Sequence, residues 1–102
     1  MAIGEINIIP IGTKSPSLSR FIAKALKVLE SSGLKFEITS MGTIVEGELE
    51  QIFDIAGKMH NALFQEGVLR VVTTVKVDER RDKSLTMEEK VVSVRERLNA
   101  KI

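Results

Sequence analysis

Along this chain the spacing of apolar residues switches between period two and helical period, and the switch happens twice. Ala2 to Ile11 is rich in Ile and sets Ile6 and Ile8 on one face against Glu5, Asn7 and Ile9 on the other. With Pro10 and Gly12 at its end, it predicts a strand. From Ser15 the spacing lengthens. Leu18, Phe21, Ile22, Ala25, Leu26 and Leu29 share one helical stripe, and Arg20, Lys24, Lys27 and Glu30 lie outside it. Ser15 is placed as the N-cap of this helix, Pro16 as its first residue, and Gly33 as the left-handed residue that ends it.

Period two returns from Leu34 to Gly47, which reads as a hairpin. Leu34, Phe36 and Ile38 oppose Lys35, Glu37 and Thr39; Ser40 to Gly42 turns the chain; Thr43 and Val45 then alternate with Ile44 and Glu46. A second helix is predicted from Glu48 to Gln65, with Ile52, Ala56, Met59 and Leu63 as its stripe and Phe53, His60 and Phe64 beside it. Gly57 within it costs about 1 kcal/mol against Ala, which suggests a close neighbour there. Val68 to Asp78 is the longest strand signal: Leu69, Val71, Thr73, Val75 and Val77 alternate with Val68, Arg70, Val72, Thr74 and Lys76. After a charged loop, Thr86 and Glu89 form a capping box for a third helix, Met87 to Asn99. Its apolar edge is thin (Val91, Val94, Leu98), so it is expected on an edge or against a partner subunit.

The resulting order is β-α-β-β-α-β with an added C-terminal helix, an α+β sandwich of the ferredoxin-like plan, read as one domain over residues 1–102. Two helices with one apolar stripe each cover one face of a four-stranded sheet. The other face then carries Glu5, Asn7, Ile9, Glu37, Thr39, Ile44, Glu46, Arg70, Val72 and Thr74. That mixture suits a sheet-to-sheet dimer enclosing a partly polar cavity.

Composition narrows the partners. The net charge is +1, from 15 basic and 14 acidic residues, so nothing favours nucleic acid. No apolar run suggests a membrane span, and the first residues do not resemble a secretion signal; a cytoplasmic protein is expected. Without Cys and with a single histidine, His60, no metal site within one chain is expected, nor any cofactor. His60 itself reads as structural or superficial.

Candidate chemistry is sparse. Glu37 and Glu46 on neighbouring strands resemble an acid/base pair, which would make a small enzyme, but they serve equally as acceptors for an amino-bearing ligand, with Arg70 as a counter-charge. The helix start near Ser17 offers amides to an anion, and Arg80, Arg81 and Lys83 offer a phosphate clamp. Asp78, Glu79 and Asp82 nearly cancel that loop's charge, which favours ion pairs and subunit contacts instead.

Pro10-Ile11-Gly12-Thr13 before a serine-bearing helix start, Ser32-Gly33-Leu34, Met41-Gly42-Thr43, Glu46-Gly47, His60 and Asp78 to Lys83 together carry a resemblance across nearly the whole chain. The chain resembles the small bacterial, archaeal and fungal family described as thiamine-binding or YkoF-like, long carried as an uncharacterised protein family. The resemblance implies a ferredoxin-like fold, dimers of apposed sheets that often pair into tetramers, and binding of thiamine or a related hydroxymethylpyrimidine compound. Carried onto this chain, it suggests the central hairpin and adjacent sheet face as the ligand region, with Thr39, Met41, Thr43 and Glu46 as candidates, and Asn7 is expected to complete the polar lining. The expected function is non-catalytic binding of such a molecule at a sheet interface; the alternative is an oligomeric interaction protein without a small ligand.

Overall fold

The structure is a computed structural model that describes residues 1–84 and 86–100. Its elements are β1 (Ala2–Ile11), α1 (Ser19–Ser31), β2 (Lys35–Ile38), β3 (Thr43–Gly47), α2 (Leu49–Phe64), β4 (Arg70–Glu79) and α3 (Met87–Asn99). The strands form one antiparallel sheet in the order β2-β3-β1-β4. This is the ferredoxin-like arrangement expected from the hydrophobic pattern, with the predicted third helix appended.

Cross-strand register fixes which side chains share a face. Ile6 lies between Thr43 and Val75, and Phe36 opposes Val45; this face packs on α1 and α2. Leu29, Val45, Ile52, Met59 and Leu63 are almost wholly removed from solvent, with Phe21 and Ala25 of α1 in the same core. Burying a Leu, Ile or Met side chain contributes roughly 1.5–3 kcal/mol, so these few contacts hold both helices against the sheet.

Several sequence expectations need correction. The helix predicted from Pro16 begins at Ser19, and Leu18 stands at its N-cap without a side-chain cap bond. Ser15 is used earlier: its Oγ accepts from the Ser17 amide at 3.1 Å, while the Thr13 hydroxyl donates to the Ser15 carbonyl at 2.9 Å. These local bonds offer the backbone a turn in place of the first helical turn. Phe53 and Phe64 are exposed, and Ile55 takes a buried place on the α2 stripe. Gly57 has no close neighbour among the described residues: a Cβ there would meet none of their atoms within 4 Å. Val68 is buried but Leu69, expected to alternate within the last strand, is 94 % exposed just outside it.

Helix α3 departs most from a compact fold. Its first residue, Met87, is buried, and everything from Glu88 to Ala100 is exposed, including Val91, Val94 and Leu98. The Cα radius of gyration is 15.7 Å, against about 13 Å for a compact 100-residue domain. The capping box at its start is as expected, with the Thr86 hydroxyl accepting from the Glu89 amide at 3.2 Å and the Thr86 amide donating back to Glu89 at 3.3 Å. No helix among the described residues is long and apolar enough to cross a membrane.

Candidate functional site

The β1–β3 ladder ends at the pair Ile6–Thr43, yet β1 continues to Ile11 beside β4 alone. Beyond Thr43 the chain leaves the sheet and folds over as the hairpin tip, so the far half of β1 lacks a neighbour on that side. Helix α1 passes above the same place. The result is a cavity of about 290 Å³ between the tip, the unpaired stretch of β1 and α1. Its apolar wall comes from Ile8, Leu18, Ile22, Leu26 and Met59, and its rim from Ile9, Ile38 and Met41. Asn7, Thr39, Ser40 and Thr43 supply the polar groups. Among the described residues, no charged side chain lines it.

The turn that shapes the tip is held by one side chain. Thr39 donates its hydroxyl to the Gly42 carbonyl at 2.7 Å and accepts from the amides of Met41 and Gly42 at 3.2 and 3.1 Å. The Thr39 amide also donates to the Gly42 carbonyl at 2.9 Å. A hydroxyl has one donor and two acceptor positions, so that of Thr39 is fully occupied within the turn. Gly42 sits against Asn7: a Cβ at position 42 would lie 2.5 Å from the Asn7 Oδ1. Glycine there lets the tip close onto the Asn7 amide. Neither the Asn7 amide nor the Thr43 hydroxyl has a side-chain partner among the described residues, and both border the cavity. Both can take a hydrogen bond from a molecule placed in the cavity. Met41, by contrast, is 81 % exposed at the rim.

Four of the five sequence-suggested ligand residues, Asn7, Thr39, Met41 and Thr43, therefore converge on one cavity. Glu46 lies elsewhere. It is only 8 % exposed, and its Oε1 accepts from the amide of Met87, the first residue of α3, at 3.2 Å. A carboxylate at that position satisfies an orphan amide and suits the positive end of the helix dipole. Glu37 is exposed on β2, opposite Ile44. Arg70, expected to neutralise one of the two carboxylates, stands beside Ile11 at the opposite end of the sheet; Lys35 is the residue directly across from Glu46. Sequence reading missed the contribution of α1. Leu18, Ile22 and Leu26 follow core spacing and give no separate signal, although the structure leaves them half-buried on the cavity wall.

Around Glu46, two ion pairs fasten the start of α3: Lys35 with Glu88, and Lys90 with Asp78. The hydrogen bond from Lys90 holds the Asp78 carboxyl below its ordinary range, and that from Lys35 does the same for Glu88 while raising Lys35 itself. In the preceding loop Arg80 forks onto Asp82, pulling that carboxyl down to about 2. Arg81 makes only a loose 3.8 Å pair with Glu79. Arg80 and Lys83 reach a small cleft with Asp78 and Lys90, while Ser17 meets Ser15 and Ser19 by its polar atoms. His60 Nδ1 is 2.6 Å from the Thr73 hydroxyl and its ring meets Phe64 edge-on, which ties α2 to β4. Among the described residues, no group of three or more His, Cys, Asp or Glu is arranged to hold a metal ion.

Residues 4–95 match the family model described as thiamine-binding protein. The chain is 43 % identical over 102 residues to the UPF0045 protein YqgV of Bacillus subtilis, covering 96 % of this chain and 98 % of the relative. It is 39 % identical over 99 residues to a UPF0045 protein of Methanothermobacter thermautotrophicus, covering 96 % and 100 %. Among solved structures, a Methanocaldococcus jannaschii protein of unassigned function superposes with a TM-score of 0.86 at 38 % identity, over 93 % of this chain and 96 % of the other. A Thermotoga maritima protein, provisionally described as one of thiamine biosynthesis or salvage, superposes at 0.78 with 28 % identity, over 91 % and 97 %. The fold, the length and these matches agree, and the chain belongs to the thiamine-binding protein family.

Proposed function

We propose that this protein binds thiamine or a related hydroxymethylpyrimidine compound, without catalysis, in the cavity beneath the β2–β3 tip. The observation that supports the reading best is the placement of the Asn7 amide, which has no side-chain partner among the described residues, on a mostly apolar cavity that no charged side chain among them lines. An aminopyrimidine presents an amine donor next to a ring-nitrogen acceptor, and a carboxamide pairs with that edge through two hydrogen bonds. Thr43 adds a hydroxyl, Thr39 holds the turn, and Met41 covers the ring at the rim. At about 290 Å³ the cavity is at the small end of ligand sites, roughly 300–1,000 Å³, which suits one heteroaromatic ring with short substituents.

Asn7 and Ile9 project toward the open sheet face, so a second sheet laid on that face would border the mouth of the cavity. The protein on this reading is a cytoplasmic homo-oligomer, a dimer or a dimer of dimers, whose subunit interface limits access to the ligand. Ser17, Arg80, Arg81 and Lys83 serve subunit or anion contacts outside the cavity. Calorimetric titration with thiamine and with hydroxymethylpyrimidine tests the reading. Wild type is expected to bind one or both, Asn7→Ala to lose at least tenfold in affinity, and Glu46→Gln to stay within about twofold, where tenfold corresponds to about 1.4 kcal/mol. No heat and no stabilisation with either compound at millimolar concentration contradicts it.

A further inference from the structure

A second hollow lies beside the first, on the open face of the sheet. It has a volume of about 200 Å³ and is lined by Ile3, Glu5, Ile44, Lys76, Asp78 and Lys90. Strand geometry makes the two hollows neighbours. Asn7 borders the first and Glu5 the second, two residues apart on one face of β1, a step of about 6.6 Å at the usual rise. On β3 the boundary falls between Thr43 and Ile44.

The charges at the far end of the second hollow are committed to each other. Lys90 pairs with Asp78 and holds its carboxyl below the ordinary range through that hydrogen bond, and Arg80 and Lys76 add to the effect by their charge. Glu5 is different. It is half-buried, and although Lys76 stands across from it in the β1–β4 register, its carboxylate forms no ion pair among the described residues. A carboxylate shielded from part of its water and left without a counter-ion favours an incoming cation. The walls select the kind of cation. A calcium or magnesium ion takes about six or more oxygen ligands, whereas the other carboxylate in this hollow is held by Lys90. Ile3 and Ile44 instead offer apolar surface to a flat organic cation.

We infer that the second hollow is a subsite for the cationic ring of thiamine, with Ile44 as its floor and Glu5 as its counter-charge. The inference rests on the reading of the first cavity as the pyrimidine site. Thiamine joins the aminopyrimidine through one methylene carbon to a positively charged thiazolium ring. With the pyrimidine edge on Asn7, that short link carries the thiazolium one step along β1 to Glu5. Hydroxymethylpyrimidine has no charge to place there. Glu5 is therefore the residue that makes the site prefer the two-ring cation to the neutral single ring.

Calorimetric titration of the full chain with both compounds, at low and at raised salt, tests the inference. Wild type is expected to bind thiamine about tenfold more tightly than hydroxymethylpyrimidine. Glu5→Gln keeps the shape and removes the charge. It is expected to bring the two ligands within about threefold by weakening thiamine alone, and added salt should narrow the difference in wild type but not in this variant. Glu37→Gln removes a carboxylate on the same face that does not line the hollow, and is expected to cost thiamine less than about twofold. Binding of hydroxymethylpyrimidine without a preference for thiamine, a preference that survives Glu5→Gln, or an equal loss in Glu37→Gln overturns the second subsite and leaves the first in place. Binding of neither compound removes both.

Discussion

Strand β3 is only five residues long, and its two ends are closed in opposite ways. At Thr43 the neighbouring wall is apolar and uncharged, and a cavity remains. At Glu46, about 10 Å along the strand by the usual rise per residue, a buried carboxylate meets the start of α3 and charged pairs flank it. The Asn7 amide and the Thr43 hydroxyl at the first end have no side-chain partner among the described residues, and the Glu46 carboxylate at the second is satisfied within the chain. On the proposed reading, a polar residue on this sheet marks the binding site only where its partners are missing. Glu46 has a partner; among the described residues, Asn7 has no side-chain partner.

The largest expected effect comes from breaking the satisfied end. Glu46→Ala removes the acceptor of the Met87 amide, and a buried donor left unpaired costs about 1–3 kcal/mol. Urea unfolding is expected to show a loss in that range, while affinity for hydroxymethylpyrimidine stays within about twofold. A large loss of affinity at unchanged stability would merge the two ends into one site.

Gly42→Ala is the corresponding change at the open end. The added Cβ drives the Asn7 amide from its place, and the expected result is at least a tenfold loss of affinity, about 1.4 kcal/mol, with a smaller change in stability. Unaltered affinity would remove Asn7 from the account.

Gly57→Ala belongs to neither end. Its Cβ enters open space on an exposed face of α2, so the helix gains about 0.5–1 kcal/mol from the lower entropy of the unfolded chain. Denaturation should report that gain with ligand affinity unchanged.

The smallest effect is one of pH. Asp78 and Glu88 are held below their ordinary values of 3.8 and 4.5. Their contribution is present above those values and is lost as pH falls through the lowered ones. Lys35, raised from 10.5, contributes below that value and ceases to do so as pH rises through its raised one. Because the pairs are exposed, the loss is small for the whole molecule and concentrated in α3. Backbone NMR order parameters for α3 should fall between pH 6 and pH 3 while those of α2 hold; an equal fall in both would contradict the separate fastening.

The sequence made the fold legible because period two and helical period alternate cleanly, and because Gly33, Gly47 and the Thr86–Glu89 pair mark the boundaries. It misplaced the start of α1, because Ser15 and Pro16 form an acceptable helix start and only the competing turn bonds decide against it. The site was legible in part. Thr39, Met41 and Thr43 cluster along the chain, and Asn7 follows from strand pairing. The separation of Glu46 from them depends on where α3 turns back, and the exposed Val91 and Leu98 show that its apolar pattern does not determine that. The wall from α1 was hidden for a related reason: half-buried Leu18 and Ile22 have the same spacing as a filled core.

The most direct test of the claim that the open end of β3 is the binding end is a titration with hydroxymethylpyrimidine followed through the backbone amide resonances. The account predicts shifts centred on Asn7, Ile22, Gly42 and Thr43, with Glu46 and Met87 nearly still. Shifts centred on Glu46, Met87 and Glu88 instead would contradict it.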